Sequence, residues 1–324
     1  MTQLCNLTSL VLMHELTAEG LVPLAIIRRD GLNESFHLGT ASLVSPSGEV
    51  LETWGDAAAL IYPRSALKPV QAMAMRRLGL RTSAEQAVIS MASHYATKTQ
   101  VALVRQLLSD HGISELDLAC PSAWPWNPAA KSVATAESRV FMNCSGKHAG
   151  FLATAKINHL PTANYLDPNH PVQLAVRNLI VETSGEEIGK TTVDGCGAPL
   201  FAMSTTALAR ALSKLPSLDP ELFEAGLSSP HLIGDESTPD ALLMKHGIFS
   251  KLGAEGVFTF VSREGFSGAI KFADGSLRTA LKVTAAMLYE HQLIDAAQRQ
   301  SIEAEDTMQV LGGGKVIGEI NICI

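Results

Sequence analysis

The stretch Arg64-Ser65-Ala66-Leu67-Lys68-Pro69 sets how the rest of the chain is read. Tyr62-Pro63 before it marks a turn. Leu67, Val70, Met73 and Ala74 after it recur at helical spacing, which predicts a helix from Ser65 to about Leu78 with Gly79 as its cap. Residues three apart share a helix face, so Ser65 and Lys68 can touch. A serine hydroxyl is a weak nucleophile until a neighbouring base takes its proton. A lysine amine serves as that base when burial or other cations lower its pKa. A helix N-terminus favours the negative charge that develops at Ser65. The bland reading is an ordinary exposed helix start, since Ser-x-x-Lys arises often by chance, so the decision lies in the other stretches.

Composition bounds the answer. The chain has 324 residues, 46% hydrophobic and 18% charged, enough for one large domain or two smaller ones around a shared core. A net charge of −7, with no Lys/Arg-rich run to offset it, argues against a nucleic-acid partner. No run of about 18 apolar residues occurs, so no membrane-spanning helix is expected. Leu7–Leu16 is apolar but contains His14 and Glu15, with no basic residue ahead of it, a poor match to a signal peptide. Five cysteines, an odd number, favour a reducing compartment with thiols free or metal-bound, and so a cytoplasmic protein.

Outward from Ser65, residues 22–28 and 38–44 read as strands, with the second continuing through Ser45-Pro46-Ser47-Gly48 into a hairpin. Residues 33–37, including Glu34 and His37, read as a polar loop between them. Residues 87–91 form a short apolar run, read as a strand, ending in Ala92-Ser93-His94 with a hydroxyl at the strand end. Helices are expected at about 98–110, 151–157, 172–181, 204–214, 239–246 and 280–291, and strands at 257–261, around Ala269-Ile270-Lys271 and at 316–322. Between them lie Asn143-Cys144-Ser145-Gly146-Lys147-His148 and Asp194-Gly195-Cys196-Gly197-Ala198-Pro199, glycine-containing stretches that let backbone approach closely. Strands at both ends with helices between suggest one antiparallel sheet shared by the chain ends, helices packing on it.

Taken together, Pro63-Arg64-Ser65 with Lys68-Pro69 and Gln71, the Ser93-His94 and Cys144–Lys147 stretches, Asp194-Gly195-Cys196-Gly197, Gly253-Ala254-Glu255-Gly256-Val257 and Ala269-Ile270-Lys271 occur in one order. This set resembles the asparaginase II family of the thermolabile, rhizobial type, from about residue 25 to the C-terminal Leu311-Gly312-Gly313-Gly314. The resemblance implies an α+β fold similar to the serine β-lactamases and penicillin-binding proteins, an antiparallel sheet flanked by helices. It implies a single catalytic domain over residues 1–324, in which two subdomains can share the active-site cleft. It further implies hydrolysis of L-asparagine to L-aspartate and ammonia, two Ser–Lys pairs (Ser65 with Lys68, Ser93 with Lys271), a zinc ion held by Cys144, Lys147 and Cys196, and a homodimer. After Ser93-His94 many members continue Ser-Gly-Glu, whereas this chain has Tyr95-Ala96-Thr97. The Lys271 strand lacks the Thr-Gly that follows the β-lactamase lysine.

For the substrate, Arg64 suits a carboxylate through its planar fork, Asp194 suits an ammonium group, and His94 and Asn143 are further candidates for contact. His94 and His148 also read as structural, and Cys144 and Cys196 as buried thiols or a disulfide. Either serine can be the nucleophile, with Ser65 first because helix geometry fixes Lys68 beside it. Three functions compete: an asparagine amidohydrolase, a β-lactam- or peptide-directed Ser-x-x-Lys hydrolase, and a non-catalytic zinc-stabilised ligand-binding protein.

Overall fold

The computed structural model describes residues 13–306 and 308–324. Most of Leu7–Leu16 lies outside the described residues. The chain opens on β1 (Val22–Arg29), β2 (Leu32–Val44) and β3 (Val50–Trp54), then β4 (Leu60–Ile61). A 3-10 turn, Arg64–Leu67, carries Ser65 into α1 (Lys68–Arg77). There follow α2 (Ala84–Met91), α3 (Lys98–Asp110), α4 (Pro128–Val133), α5 (Ser145–Ile157) and α6 (Pro171–Ser184). The chain continues through β5 (Lys190–Val193), β6 (Pro199–Ser204), α7 (Thr205–Ser213), α8 (Leu215–Leu218), α9 (Pro220–Ser228), α10 (Pro230–Ile233) and α11 (Pro239–Met244). It ends with β7 (Phe249–Gly253), β8 (Val257–Val261), β9 (Ser267–Phe272), α12 (Ala280–Glu290), α13 (Ala296–Glu305), β10 (Leu311–Gly312), β11 (Lys315–Val316) and β12 (Gly318–Ile322).

The main sheet runs β12-β1-β2-β9-β8-β7, every neighbour antiparallel, with β3 also paired to β2. The last strand lies beside the first, as the strands at the two chain ends predict. A smaller sheet, β4-β6-β5, stands apart. Period-two alternation distributes side chains to the two faces. On β8, Phe258 and Phe260 join Leu24, Leu43, Ile270, Phe272 and α12 in one core cluster. Val257 and Val261 join the other, which holds α1, α2, α5, α6 and α7. Each such side chain stabilises the fold by about 1.5–3 kcal/mol. The architecture is the expected α+β one, helices on both faces of an antiparallel sheet. Among the described residues no helix is long and apolar enough to cross a membrane.

Two local expectations change. Residues 33–37 are strand rather than loop, because Ser35, Phe36 and His37 pair with Ile27, Ile26 and Ala25 of β1. Residues 87–91 are helix rather than strand. A Ser83/Gln86 capping box starts α2, and the run is apolar throughout because the helix is enclosed on all sides, where periodicity disappears.

Candidate active site

Close helix packing builds the site. Every α5 residue from Ser145 to Ala155 is buried. A Cβ on Gly146 would stand 2.2 Å from the Ile89 carbonyl oxygen, so only glycine lets α5 lie this close to α2. That contact brings the start of α5, with Cys144 at its N-cap and Lys147 in its first turn, up to the end of α2, two residues before Ser93. The segment after α2 is clamped: Ser93 N–H donates to the Ile233 carbonyl (2.7 Å) and His94 N–H to that of Asn143 (3.2 Å). The Gln100 side chain donates to the His231 and Gly234 carbonyls.

Lys68 enters this region from the first turn of α1 and is 1% exposed. Its ammonium donates to the Ala92 carbonyl (2.5 Å) and to Ser93 Oγ (3.1 Å). Burial pushes its pKa down, and Lys147 adds to that while Cys144 opposes it. Ser65, one turn earlier and only partly buried, makes no side-chain hydrogen bond among the described residues. Lys68 thus contacts Ser93 and lies three residues on from Ser65, at the junction of the 3-10 turn and α1.

Among the described residues no hydrogen bond joins Ser93 to Lys271, the second pair that the resemblance implies. Lys271 lies on β9, opposite Thr40 of β2 and Val257 of β8. Its ammonium donates to the main-chain carbonyls of Glu255 and Phe272. A different lysine, which sequence reading passed over, lies in the electrostatic reach of Lys68: Lys251 on β7. Lys251 and its partner Asp240 are both fully buried (Nζ–Oδ2 3.4 Å). The carboxylate is held in addition by the Ala241 and Leu252 N–H groups. Burial lowers the Lys251 pKa to about 8, with Lys68 acting in the same direction and Asp240 against it. Two residues on, Gly253 abuts the Ser65 turn: a Cβ there would meet the Pro63 carbonyl oxygen at 2.6 Å and the Ala66 nitrogen at 3.1 Å. A signal was available, since Lys-x-Gly on a strand beside a Ser-x-x-Lys helix is the pattern of penicillin-directed enzymes. It occurs here as Lys251-Leu252-Gly253 on β7, two strands before the Lys271 strand where it was sought.

Of the proposed substrate contacts, His94 is corrected. Its Nδ1 accepts from the Ala96 N–H (3.1 Å), and its Nε2 pairs with Ser145 Oγ (2.8 Å), which itself donates to the Val140 carbonyl. Both ring nitrogens are occupied, and burial lowers the pKa to about 3, so the ring is neutral and structural. His148 is likewise neutral, its Nδ1 facing the Tyr165 hydroxyl at 2.7 Å. Asn143 contributes its main-chain carbonyl to His94. Arg64 Nε donates to Asp194 Oδ1 at 2.7 Å, so these two candidates engage each other. Burial opposes ionisation of Asp194, but Lys147 and Arg64 outweigh it and hold the carboxyl below its ordinary range.

Of the three residues that the resemblance implies for zinc, Lys147 and Cys196 meet directly. The Asp194–Gly197 turn presents Cys196 to α5, where Lys147 Nζ stands 3.3 Å from its sulfur. The Cys144 thiol donates to Cys196, which with Lys147 holds the Cys196 pKa at about 5 against burial. That same bond and burial push Cys144 to about 12. Burial disfavours the Lys147 ammonium, but Cys196 and Cys144 more than compensate and raise its pKa. The Lys147–Cys196 separation is compatible with two ligands of one zinc ion. Tetrahedral bonds of about 2.1 Å to nitrogen and about 2.3 Å to sulfur put neighbouring ligand atoms about 3.6 Å apart, close to the observed nitrogen–sulfur separation. Among the described residues, no group of three or more His, Cys, Asp or Glu side chains is placed to hold a metal; a zinc site here would require Lys147 as its third protein donor.

Beside the Ser65 turn opens a hollow of about 320 Å³ lined by Tyr62, Arg64, Thr192, Val193, Gly195, Leu200, Glu255 and Lys271. A family model described as L-asparaginase II matches residues 25–322. The chain belongs to the L-asparaginase II family. That membership supports asparagine amidohydrolase activity in general. Among solved structures, a β-lactamase from Mycobacterium bovis is similar at 20% identity, with 78% of this chain and 94% of that chain covered and a TM-score of 0.35. No curated protein matches the chain. In this L-asparaginase II chain the departing Tyr95-Ala96-Thr97 is structured rather than loose. The Tyr95 ring meets Trp126 edge to face at 5.5 Å, Ala96 adopts a positive φ of 58°, and Thr97 caps α3.

Proposed function

We propose that the protein hydrolyses L-asparagine to L-aspartate and ammonia through Ser65. The observation that carries this reading is Lys68, buried three residues after Ser65 and bonded to Ser93, in a chain of the L-asparaginase II family. The nucleophile must meet a substrate arriving from solvent. Ser65 is partly exposed, whereas Ser93 is 3% exposed. Neutral Lys68 accepts the Ser65 proton as Oγ bonds to the side-chain amide carbon. Ser93, in contact with Lys68, passes that proton to the amide nitrogen. The C–N bond breaks, ammonia leaves, and an aspartyl ester remains on Ser65. Water then attacks the ester with Lys68 again accepting the proton, which returns to Ser65 as aspartate departs. Lys251 adds positive charge behind this centre and favours the neutral form of Lys68. The Ser93 and His94 N–H groups are taken by carbonyls, so the donors to the oxyanion come from elsewhere on the cleft wall.

Arg64 is proposed to offer its outer amino groups to the substrate carboxylate, with Asp194 and Asn143 fixing its surroundings. Cys144, Lys147 and Cys196 are proposed to hold zinc, which when bound supplies a fixed positive charge beside the substrate. The chain is taken as one catalytic domain of a cytoplasmic homodimer. The described cysteines, Cys120, Cys144, Cys196 and Cys323, are all free, which supports a reducing compartment. Ammonia release from asparagine and glutamine, run beside a chromogenic β-lactam, tests the function: turnover of asparagine is expected, and β-lactam hydrolysis without it overturns the reading.

A further inference from the structure

We propose that a hollow between α3 and α4 is a second binding site, for a small carboxylic acid with an aliphatic or aromatic body and no amino group. The hollow has a volume of about 460 Å³, within the range of small-molecule sites. It shares no lining residue with the hollow beside the Ser65 turn, so the inference stands whichever reaction the protein performs. From α3 come Lys98, Val101 and Arg105, spaced as one helix face. From α4 and its C-cap come Ala130, Val133 and Ala134. No residue of α4 is buried, and Val133 is 77% exposed. Polar bonds hold this helix at its start instead: Asn127 Oδ1 accepts from the Ala130 N–H (3.0 Å), and the Asn127 N–H donates to the Tyr95 carbonyl (2.8 Å). Apolar surface from both helices thus lies open to water, and an apolar occupant covers it favourably.

The polar groups of the walls select the head of that occupant. The polar side chains lining the hollow are Lys98, Arg105 and Asn127. The Lys98 ammonium takes part in no hydrogen bond or ion pair among the described residues. Arg105 donates Nε–H to Glu115 at 2.6 Å and keeps its outer amino groups. Asn127 uses its oxygen on the Ala130 N–H and keeps its amide N–H groups. What remains is a set of donors, two of them cationic, and no carboxylate lines the hollow. Such a set receives a carboxylate and leaves an ammonium group without an acceptor. At the inner wall, Ala96 is 2% exposed and gives its N–H to His94 Nδ1 at 3.1 Å, so an occupant rests on the turn that follows Ser93 and His94.

The test uses three related probes: hydrocinnamate, L-phenylalanine, which adds an α-ammonium group to it, and phenethylamine, which keeps the ammonium and lacks the carboxylate. Equilibrium dialysis against the full chain is expected to show saturable binding of hydrocinnamate with a Kd of about 1 mM or tighter, and both amines at least about tenfold weaker. Lys98→Met should weaken hydrocinnamate at least about tenfold. Ala130→Leu, which fills the hollow and leaves the charges in place, should do the same. Circular dichroism confirms that both variants fold. Absence of saturable hydrocinnamate binding overturns the proposal. Binding that survives either variant places the acid elsewhere and also overturns it, as does phenethylamine bound as tightly as the acid. Sedimentation adds a last outcome: a dimer that excludes hydrocinnamate and that Val133→Asp dissociates would show a second copy of the chain filling the hollow, against the proposal.

Discussion

Lys68 Nζ lies 3.1 Å from Ser93 Oγ, on a side chain that is 1% exposed. The contact divides the roles of the two serines. Ser65→Ala and Lys68→Met should each lower kcat by a factor of about 10³ or more, since they remove the nucleophile and its base. Ser93→Ala, which interrupts only the proton path, should cost about 10- to 10²-fold. Steady-state ammonia release with circular dichroism as a folding control measures this. A Ser65→Ala protein retaining more than about a tenth of wild-type activity, beside a dead Ser93→Ala, would move the nucleophile to Ser93.

The Lys251–Asp240 pair makes a prediction about stability. Asp240→Ala leaves the Lys251 ammonium buried without a partner, which costs about 3–5 kcal/mol. Replacing both, as Asp240→Leu with Lys251→Met, should recover most of that in denaturant melts while turnover stays low. Recovery of activity along with stability would show that Lys251 contributes only packing.

The same lysine sets a pH dependence. Its folded pKa of about 8 lies below the ordinary value of 10.5, so between the two the unfolded chain binds a proton that the folded chain does not. Stability from this group is fully present above about 10.5 and is lost as pH falls through about 8. The denaturation midpoint of wild type relative to Lys251→Met should therefore rise between pH 8 and 10. A flat difference over that window would place the Lys251 titration elsewhere.

What was legible in the sequence follows the range of the interaction that fixes each part. The α3 helix was read at its bounds, because the Thr97/Gln100 capping box and amphipathic period are local. The antiparallel sheet closing on its own ends was read from strands at both termini. The α2 helix was missed because a fully enclosed helix shows no period, although Ser83 and Gln86 announced its start. Lys251 was passed over for a different reason. Lys251 and Lys271 both sit in apolar strands, and only the packing of Gly253 on the Ser65 turn shows which strand edge reaches the centre. His94 looked available because its neighbours Ala96 and Ser145, which occupy both nitrogens, are joined to it through a turn and a second helix.

Gly253 itself is open to test. A Cβ there would press on the Pro63 carbonyl and the Ala66 nitrogen, both backbone atoms, so Gly253→Ala must displace either β7 or the Ser65 turn. Overpacking of this kind costs about 1–3 kcal/mol, and a shift near 1 Å at a nucleophile costs about 10²-fold in rate. A melt combined with kcat for asparagine checks both. Wild-type turnover in the alanine variant would show that the turn can move without loss.

The zinc proposal is the most exposed to a single measurement. Cys196 already carries a thiolate beside a protonated Lys147 and a protonated Cys144, so binding zinc must release the last two protons. Affinity should therefore fall as pH falls, and protons should appear on titration with zinc in weak buffer. Cys144→Ser and Cys196→Ser each remove a soft donor from a site with three protein ligands, and should abolish stoichiometric zinc. With Ser65 and Lys68 as the proposed nucleophile and base, the loss should raise KM for asparagine more than it lowers kcat. Chelator treatment of wild type should reproduce that pattern, and added zinc should reverse it in wild type but not in either cysteine variant. Metal analysis of protein with free thiols after a zinc soak at neutral pH decides the premise. Well under about one-fifth of a zinc per chain would mean that the thiolate–ammonium pair is the resting state, and that Lys147 and the two cysteines hold the Asp194–Gly197 turn without metal.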